Sequence, residues 1–121
     1  MKQFYLGENE QGISYFEDRE IGLKTADFAP PAPALLASDI ESATGVLFLT
    51  LPAGWGGARH RSPHRQILFC LSGELLVEAG DGSSRKICAG DIWRMEDTAG
   101  TGHTTTVTSP GDMRAAIVQL A

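Results

Sequence analysis

The stretch QILFCLSGELLVEAGDGSSRKICAGDIWRM, Gln66 through Met95, decides the fold. It divides into four short apolar-rich runs, Gln66–Ser72, Glu74–Ala79, Ser84–Cys88 and Asp91–Met95. Runs of this length, closed off by glycine-bearing turns, are the pattern of β-strands. Ser72-Gly73 is a tight connection in which glycine supplies positive φ. Ala79-Gly80-Asp81-Gly82-Ser83 is a hairpin loop, and Ala89-Gly90-Asp91 opens the next strand. Together they read as a meander of consecutive antiparallel strands, joined by short loops that cost little entropy to close.

Outward from that stretch the same grammar continues. Ile13–Phe16, Thr44–Leu51, His103–Thr108 and Ala115–Leu120 are further strand candidates, with a turn signal every eight to twelve residues or so. No capped window repeats apolar residues at helical spacing, so the fold class is all-β, a sandwich or barrel. Ala29-Pro30-Pro31-Ala32-Pro33 is unsuited to a central strand, since proline donates no ladder hydrogen bond. It is expected to run extended along an edge or across a subunit boundary. The expected organisation is one domain over residues 1–121, with an N-terminal arm and edge strands in 1–40 and the barrel core in 44–120.

Bulk properties exclude several partners. The net charge of -5 opposes a nucleic-acid footprint, which is normally basic. No apolar run approaches the roughly 18 residues of a membrane helix. The N-terminal residues turn polar too early for a secretory signal, so a cytoplasmic location is expected. Cys70 and Cys88 lie within apolar runs and are expected to be reduced, buried and inert.

From Gly54 onward the spacing resembles the two motifs of the cupin superfamily. Five residues separate Gly54 from His60, and six separate Gln66 from Gly73. Ser62 stands where the first motif has its second histidine, and Gln66 where it has its glutamate. Gly90-Asp91 opens a strand leading to His103, which matches the histidine of the second motif, while Val107 takes the place of that motif's asparagine. The turn Glu96–Gly102 is longer than usual and lacks the usual proline. With its Ala-Pro-rich N-terminal segment and the string His60-x-x-Pro63-x-Arg65-Gln66, the chain is similar to a subgroup of small bacterial cupins without an assigned reaction. The resemblance implies a jelly-roll barrel, the double-stranded β-helix, and a metal position at His60, Gln66 and His103; His64, close by in sequence, is a further candidate ligand. The metals it implies are divalent transition ions: Fe, Mn, Ni, Zn or Cu.

The residues themselves point several ways. On a strand, His60, Ser62 and Gln66 share parity and face one side, with Leu68 and Cys70 continuing as an apolar wall. Two imidazoles fall short of the three protein ligands that catalytic sites usually present, and a glutamine removes the carboxylate charge. Arg59, His60, Arg61, His64 and Arg65 are the densest positive cluster in an acidic chain. That cluster is either a solvated loop or an anion-binding rim, in which Arg61 and Arg65 meet a carboxylate or phosphate, with Gln66 and Trp55 as further candidate contacts. Glu96 and Asp97 are expected to pair with Arg94 or cap the turn before His103.

Three functions follow as expectations. The first is a barrel that binds a small, acidic organic molecule with weak or no metal. The second is a metal-dependent dioxygenase- or isomerase-like enzyme with His60 and His103 as ligands. The third is metal-independent acid–base catalysis by a histidine, as in the sugar-epimerase branch of the cupins. A homodimer is the expected assembly, with no nucleic-acid or membrane partner.

Overall fold

The computed structural model describes residues 1–121. Eleven strands form in chain order: β1 (Lys2–Glu8), β2 (Ser14–Glu20), β3 (Lys24–Ala26), β4 (Leu35–Ala37), β5 (Ala43–Leu51), β6 (Gln66–Ser72), β7 (Glu74–Ala79), β8 (Ser84–Cys88), β9 (Ile92–Met95), β10 (His103–Val107) and β11 (Met113–Leu120). No helix forms, so none is long and apolar enough to cross a membrane. The class is all-β, arranged as a jelly roll.

Two sheets face each other. The larger has the order β2-β1-β9-β6-β11-β5 and the smaller β10-β7-β8, while β3 and β4 pair as a separate ribbon. The hydrogen-bonded ladder does not close from one sheet to the other. Inward parity gives the core: Leu68 and Cys70 of β6, Trp93 and Met95 of β9 and Ala115 and Ile117 of β11 meet Leu75, Val77, Ile87 and Val107 from the smaller sheet. Fourteen such side chains make one buried cluster.

The expected meander holds only for β7 and β8. β6 belongs to the larger sheet and β7 to the smaller, so Ser72-Gly73 is a corner between layers rather than a hairpin. Gly73 has φ +81°, and a Cβ there would lie 2.7 Å from the carbonyl oxygen of Asp112 and from Cα of Met113. The chain crosses back after β8 at Gly90, crosses again into β10 and returns in β11. Each apolar inner face is thereby covered by the next piece of chain, which a flat meander would leave exposed.

The N-terminal third also differs from expectation. β1 is an interior strand, antiparallel to β2 and parallel to β9, with Leu6 fully buried. The proline-rich segment is the tip of the β3–β4 ribbon, where Ala32 N–H donates to the Ala29 carbonyl at 2.9 Å. That ribbon lies over the outer face of the larger sheet. Glu41 anchors it through two hydrogen bonds from Arg94, at 2.8 and 2.5 Å.

Candidate functional site

Residues 55–60 run beside β10 and widen the smaller sheet by two isolated bridges, Gly56 with Thr106 and His60 with His103. At the second bridge the two histidines exchange both backbone hydrogen bonds, His60 N to His103 O at 2.9 Å and His103 N to His60 O at 2.8 Å. Directly paired residues project their side chains to the same face. The ring centroids stand 4.7 Å apart.

Each ring is held through Nδ1. His103 Nδ1 lies 2.5 Å from Asp97 Oδ2, and His60 Nδ1 lies 2.9 Å from the Ala58 carbonyl oxygen. Carboxylate and carbonyl oxygens only accept, so each ring carries a proton on Nδ1, and the neutral form of each ring leaves Nε2 bare. Asp97 is 0% exposed and His103 2%. The second carboxylate oxygen accepts from Ser62 Oγ at 2.7 Å, so the buried acid is satisfied on both sides. Trp93 packs edge-on against His103, with centroids 5.3 Å apart and planes at 79°.

His60 is exposed, so the buried His103 ring lies beside a solvent-facing side chain, and this edge is the mouth of the site. Among buried side-chain nitrogen and oxygen atoms only Trp93 Nε1 lacks a partner. His103 Nε2 and Gln66 Oε1 have no partner within the chain either, so each retains contact with water. Gln66 is otherwise buried, its amide donating to Met95 Sδ at 3.6 Å.

The other residues expected at the site are placed as follows. His64 is exposed in the bend before β6 and does not join the pair. Arg65 donates to Glu96 at 2.9 Å and to the Ala121 carbonyl at 3.2 Å, so its fork is engaged within the chain. Arg59 and Arg61 each reach only a backbone carbonyl, of Gly102 and Ala99, and neither meets a carboxylate. Trp55 packs against the core from the bridging segment. Asp97, expected to cap the turn or pair with Arg94, instead stands behind His103, while Glu96 takes Arg94 and Arg65.

This donor set does not fit a metal of the kind the motif spacing implies. No three His, Cys, Asp or Glu side chains are placed to hold one ion. Both oxygens of Asp97 are turned to His103 and Ser62, and Ser62 and Gln66 occupy the two remaining motif positions. Two imidazoles are one ligand short of a usual catalytic site.

The profile of the cupin domain family matches residues 47–119, more than half of the chain. The chain is a cupin. The matched span begins in β5 and includes both histidines. This cupin resembles the Cupin 2 conserved barrel domain protein of Salinispora arenicola CNS-205 with a TM-score of 0.53 and 15% identity, covering 84% of this chain and 78% of that one. The Cnp3 cupin domain of Schizosaccharomyces pombe superposes with a TM-score of 0.49 and 14% identity, over 100% of this chain and 83% of that one. At such identities the likeness concerns the fold alone. No curated protein matches the cupin by sequence.

Proposed function

We propose that this cupin binds a small organic acid at the His60–His103 mouth and moves a proton on it without a metal, His103 acting as the base. The observation that carries the reading is the 2.5 Å contact of His103 Nδ1 with the buried Asp97, beside a solvent-touching Nε2. Asp97 fixes the ring's orientation and tautomer, and a proton taken up on Nε2 places its charge next to a carboxylate. Ser62 holds that carboxylate from behind. His60, whose ring centroid stands 4.7 Å away, supplies a second Nε2 that its contact with the Ala58 carbonyl leaves unused.

An acidic ligand suits the charges around the mouth. Arg59 and Arg61 flank His60 and have no ion-pair partner in a chain of net charge -5. Uncompensated guanidinium groups draw in and orient a carboxylate.

The test is deuterium wash-in. Chelator-treated protein is incubated in D2O with a panel of 2-oxo acids and sugar acids, and exchange at the carbon next to the carbonyl is followed by NMR. Exchange is expected in the unaltered protein and is expected to fall ~10²–10⁴-fold in His103→Gln, the range of a lost general base. Acids that bind without exchanging would leave a binding barrel. Exchange that vanishes with chelator would return the site to His60 and His103 as ligands of a divalent transition metal.

A further inference from the structure

The turn that carries Asp97 does little to hold itself. Glu96–Gly102 includes Gly100 and Gly102, and no backbone hydrogen bond joins one of its residues to another. A glycine-bearing loop without internal bonds has many conformations open to it, so its path is set from outside. The β1–β2 hairpin supplies that constraint. Glu96 N–H donates to the Leu6 carbonyl at 2.8 Å, Thr101 N–H donates to the Gly12 carbonyl at 2.8 Å, and the Gly102 carbonyl accepts from the buried Ser14 Oγ at 2.6 Å. Between these points Glu8 reaches across with its side chain. Its Oε1 accepts from Ala99 N–H at 3.1 Å and its Oε2 from Gly100 N–H at 2.7 Å.

Both oxygens of this carboxylate are spent on consecutive peptide amides rather than on a cation. Hydrogen bonds to an ionised acceptor are shorter and about twice as strong as neutral ones. Two of them in succession fix the rotation of two peptide planes on the segment between Asp97 and His103. Glu8 is itself a firm reference point. It ends a strand paired along its whole length with β2, and Asn9 Oδ1 closes the hairpin loop by accepting from Gln11 and Ile13 N–H at 2.9 and 3.0 Å. The two ends of the segment are held from the other side of the mouth, Asp97 by Ser62 and His103 by the bridge to His60. Its middle depends on Glu8.

We propose that Glu8 is a positioning residue for the His103–Asp97 pair: by gripping the Ala99 and Gly100 amides it keeps Asp97 Oδ2 at 2.5 Å from His103 Nδ1 and so holds the proton on that nitrogen. Glu8 touches neither ring and acts only through the turn. When its grip is lost, the segment relaxes, the contact between Asp97 and His103 lengthens, and the ring gains access to the tautomer with its proton on Nε2. A misplacement of about 1 Å caused away from the reacting atoms can cost ~10²-fold in rate. As a constraint on the ring, the role of Glu8 is independent of proton transfer; its effect on a rate rests on His103 being the base, as proposed above.

Glu8→Ala, Glu8→Gln and Glu10→Ala test this, read by long-range ¹H–¹⁵N correlation of the imidazoles, amide hydrogen exchange and deuterium wash-in. Glu10 is exposed in the same hairpin and serves as the control. In Glu8→Ala the Ala99 and Gly100 amides should exchange roughly 10–100-fold faster, the loss of one charge-assisted hydrogen bond each. The His103 ring should show a second population protonated on Nε2, and wash-in should slow by ~10–10²-fold while the Kd of the acid stays the same. Glu8→Gln, which keeps the length and one acceptor oxygen, should lie between, and Glu10→Ala should match the unaltered protein. If Glu8→Ala does not fold, Glu8→Gln decides by the same ring spectrum. Faster turn amides with an unchanged His103 ring would make Glu8 a structural anchor alone and overturn the proposal, as would a turn indifferent to residue 8. An unaltered protein that exchanges no acid would sink the proton-transfer reading instead, and the ring spectrum would still decide the role of Glu8.

Discussion

His60 and His103 lie 43 positions apart in sequence, yet their backbones exchange hydrogen bonds of 2.9 and 2.8 Å and their ring centroids stand 4.7 Å apart, the planes tilted by 57°. The bridge belongs to no long strand on the His60 side. It is fixed by what surrounds it: Asp97 behind one ring, the Ala58 carbonyl behind the other, and the Gly102 corner that brings β10 alongside.

Asp97 separates chemistry from stability. In Asp97→Asn the volume is kept, but an amide that offers its N–H₂ to His103 Nδ1 reverses the tautomer. Proton exchange should fall by two or more decades while ligand affinity changes little. In Asp97→Ala both Ser62 and His103 lose their buried partner, and unfolding free energy should drop by about 1–3 kcal/mol per orphaned group. Thermal unfolding together with deuterium wash-in distinguishes the two variants.

Rebuilding the missing ligands is a gain-of-function test. Ser62→His with Gln66→Glu restores three imidazoles and a carboxylate at the motif positions. The double variant should bind Ni, Zn or Mn at least a hundredfold more tightly than the unaltered protein, seen as a metal-dependent rise in Tm. A bound ion at a hundred times its Kd adds about 2.7 kcal/mol. Equal shifts in the two proteins would contradict the donor count argued above.

Gly102 is where a methyl group is least tolerable. Its φ is +79°, and a Cβ would overlap the His60 carbonyl oxygen, which accepts from His103 N–H. Gly102→Ala should therefore break the His60–His103 bridge and lower stability by more than the ~1 kcal/mol of an ordinary glycine-to-alanine mismatch. Loss of His103 N–H protection in hydrogen exchange would report the site directly.

Acid should loosen the arm before the core. The Arg94 guanidinium holds the Glu41 carboxyl below the usual carboxylate range. Burial pushes Glu96 up, but hydrogen bonds from Arg94 and Arg65 bring it below that range as well. A carboxyl whose pKa is lower folded than unfolded binds fewer protons when folded. Its contribution is therefore complete above the unfolded value near 4.5 and fades as pH falls through the folded value. Glu41→Gln should cost no more than about 1 kcal/mol at pH 7, since the pair is partly exposed, and nothing once the wild-type carboxyl is protonated. Unfolding curves recorded from pH 7 to pH 3 should converge.

Much of the barrel was legible because its strands advertise themselves locally. Gln66–Ser72, Glu74–Ala79 and Ser84–Cys88 are bounded by turns, and their residues alternate faces, so pattern alone places their ends. β1 was not legible, since its place inside the sheet rests on parallel pairing with β9, almost ninety residues away. The sheet-to-sheet corner at Gly73 looks like a hairpin turn in sequence, because both need positive φ. At the site, motif spacing pointed to His60 and His103, whereas Asp97 was hidden. Its approach to His103 depends on the Glu96–Gly102 turn, where Gly100 packs against Gly12 from a different sheet edge. The arginine cluster was legible as charge only; which guanidinium groups stay free is decided by Glu96 and by backbone carbonyls.

Long-range ¹H–¹⁵N correlation of the imidazole rings at mildly alkaline pH tests the central claim most directly. Both His60 and His103 are predicted to show a protonated Nδ1 and a bare Nε2, and the His103 pattern alone is predicted to change in Asp97→Asn. A proton on Nε2 of either ring, or a His103 spectrum indifferent to residue 97, would contradict the account.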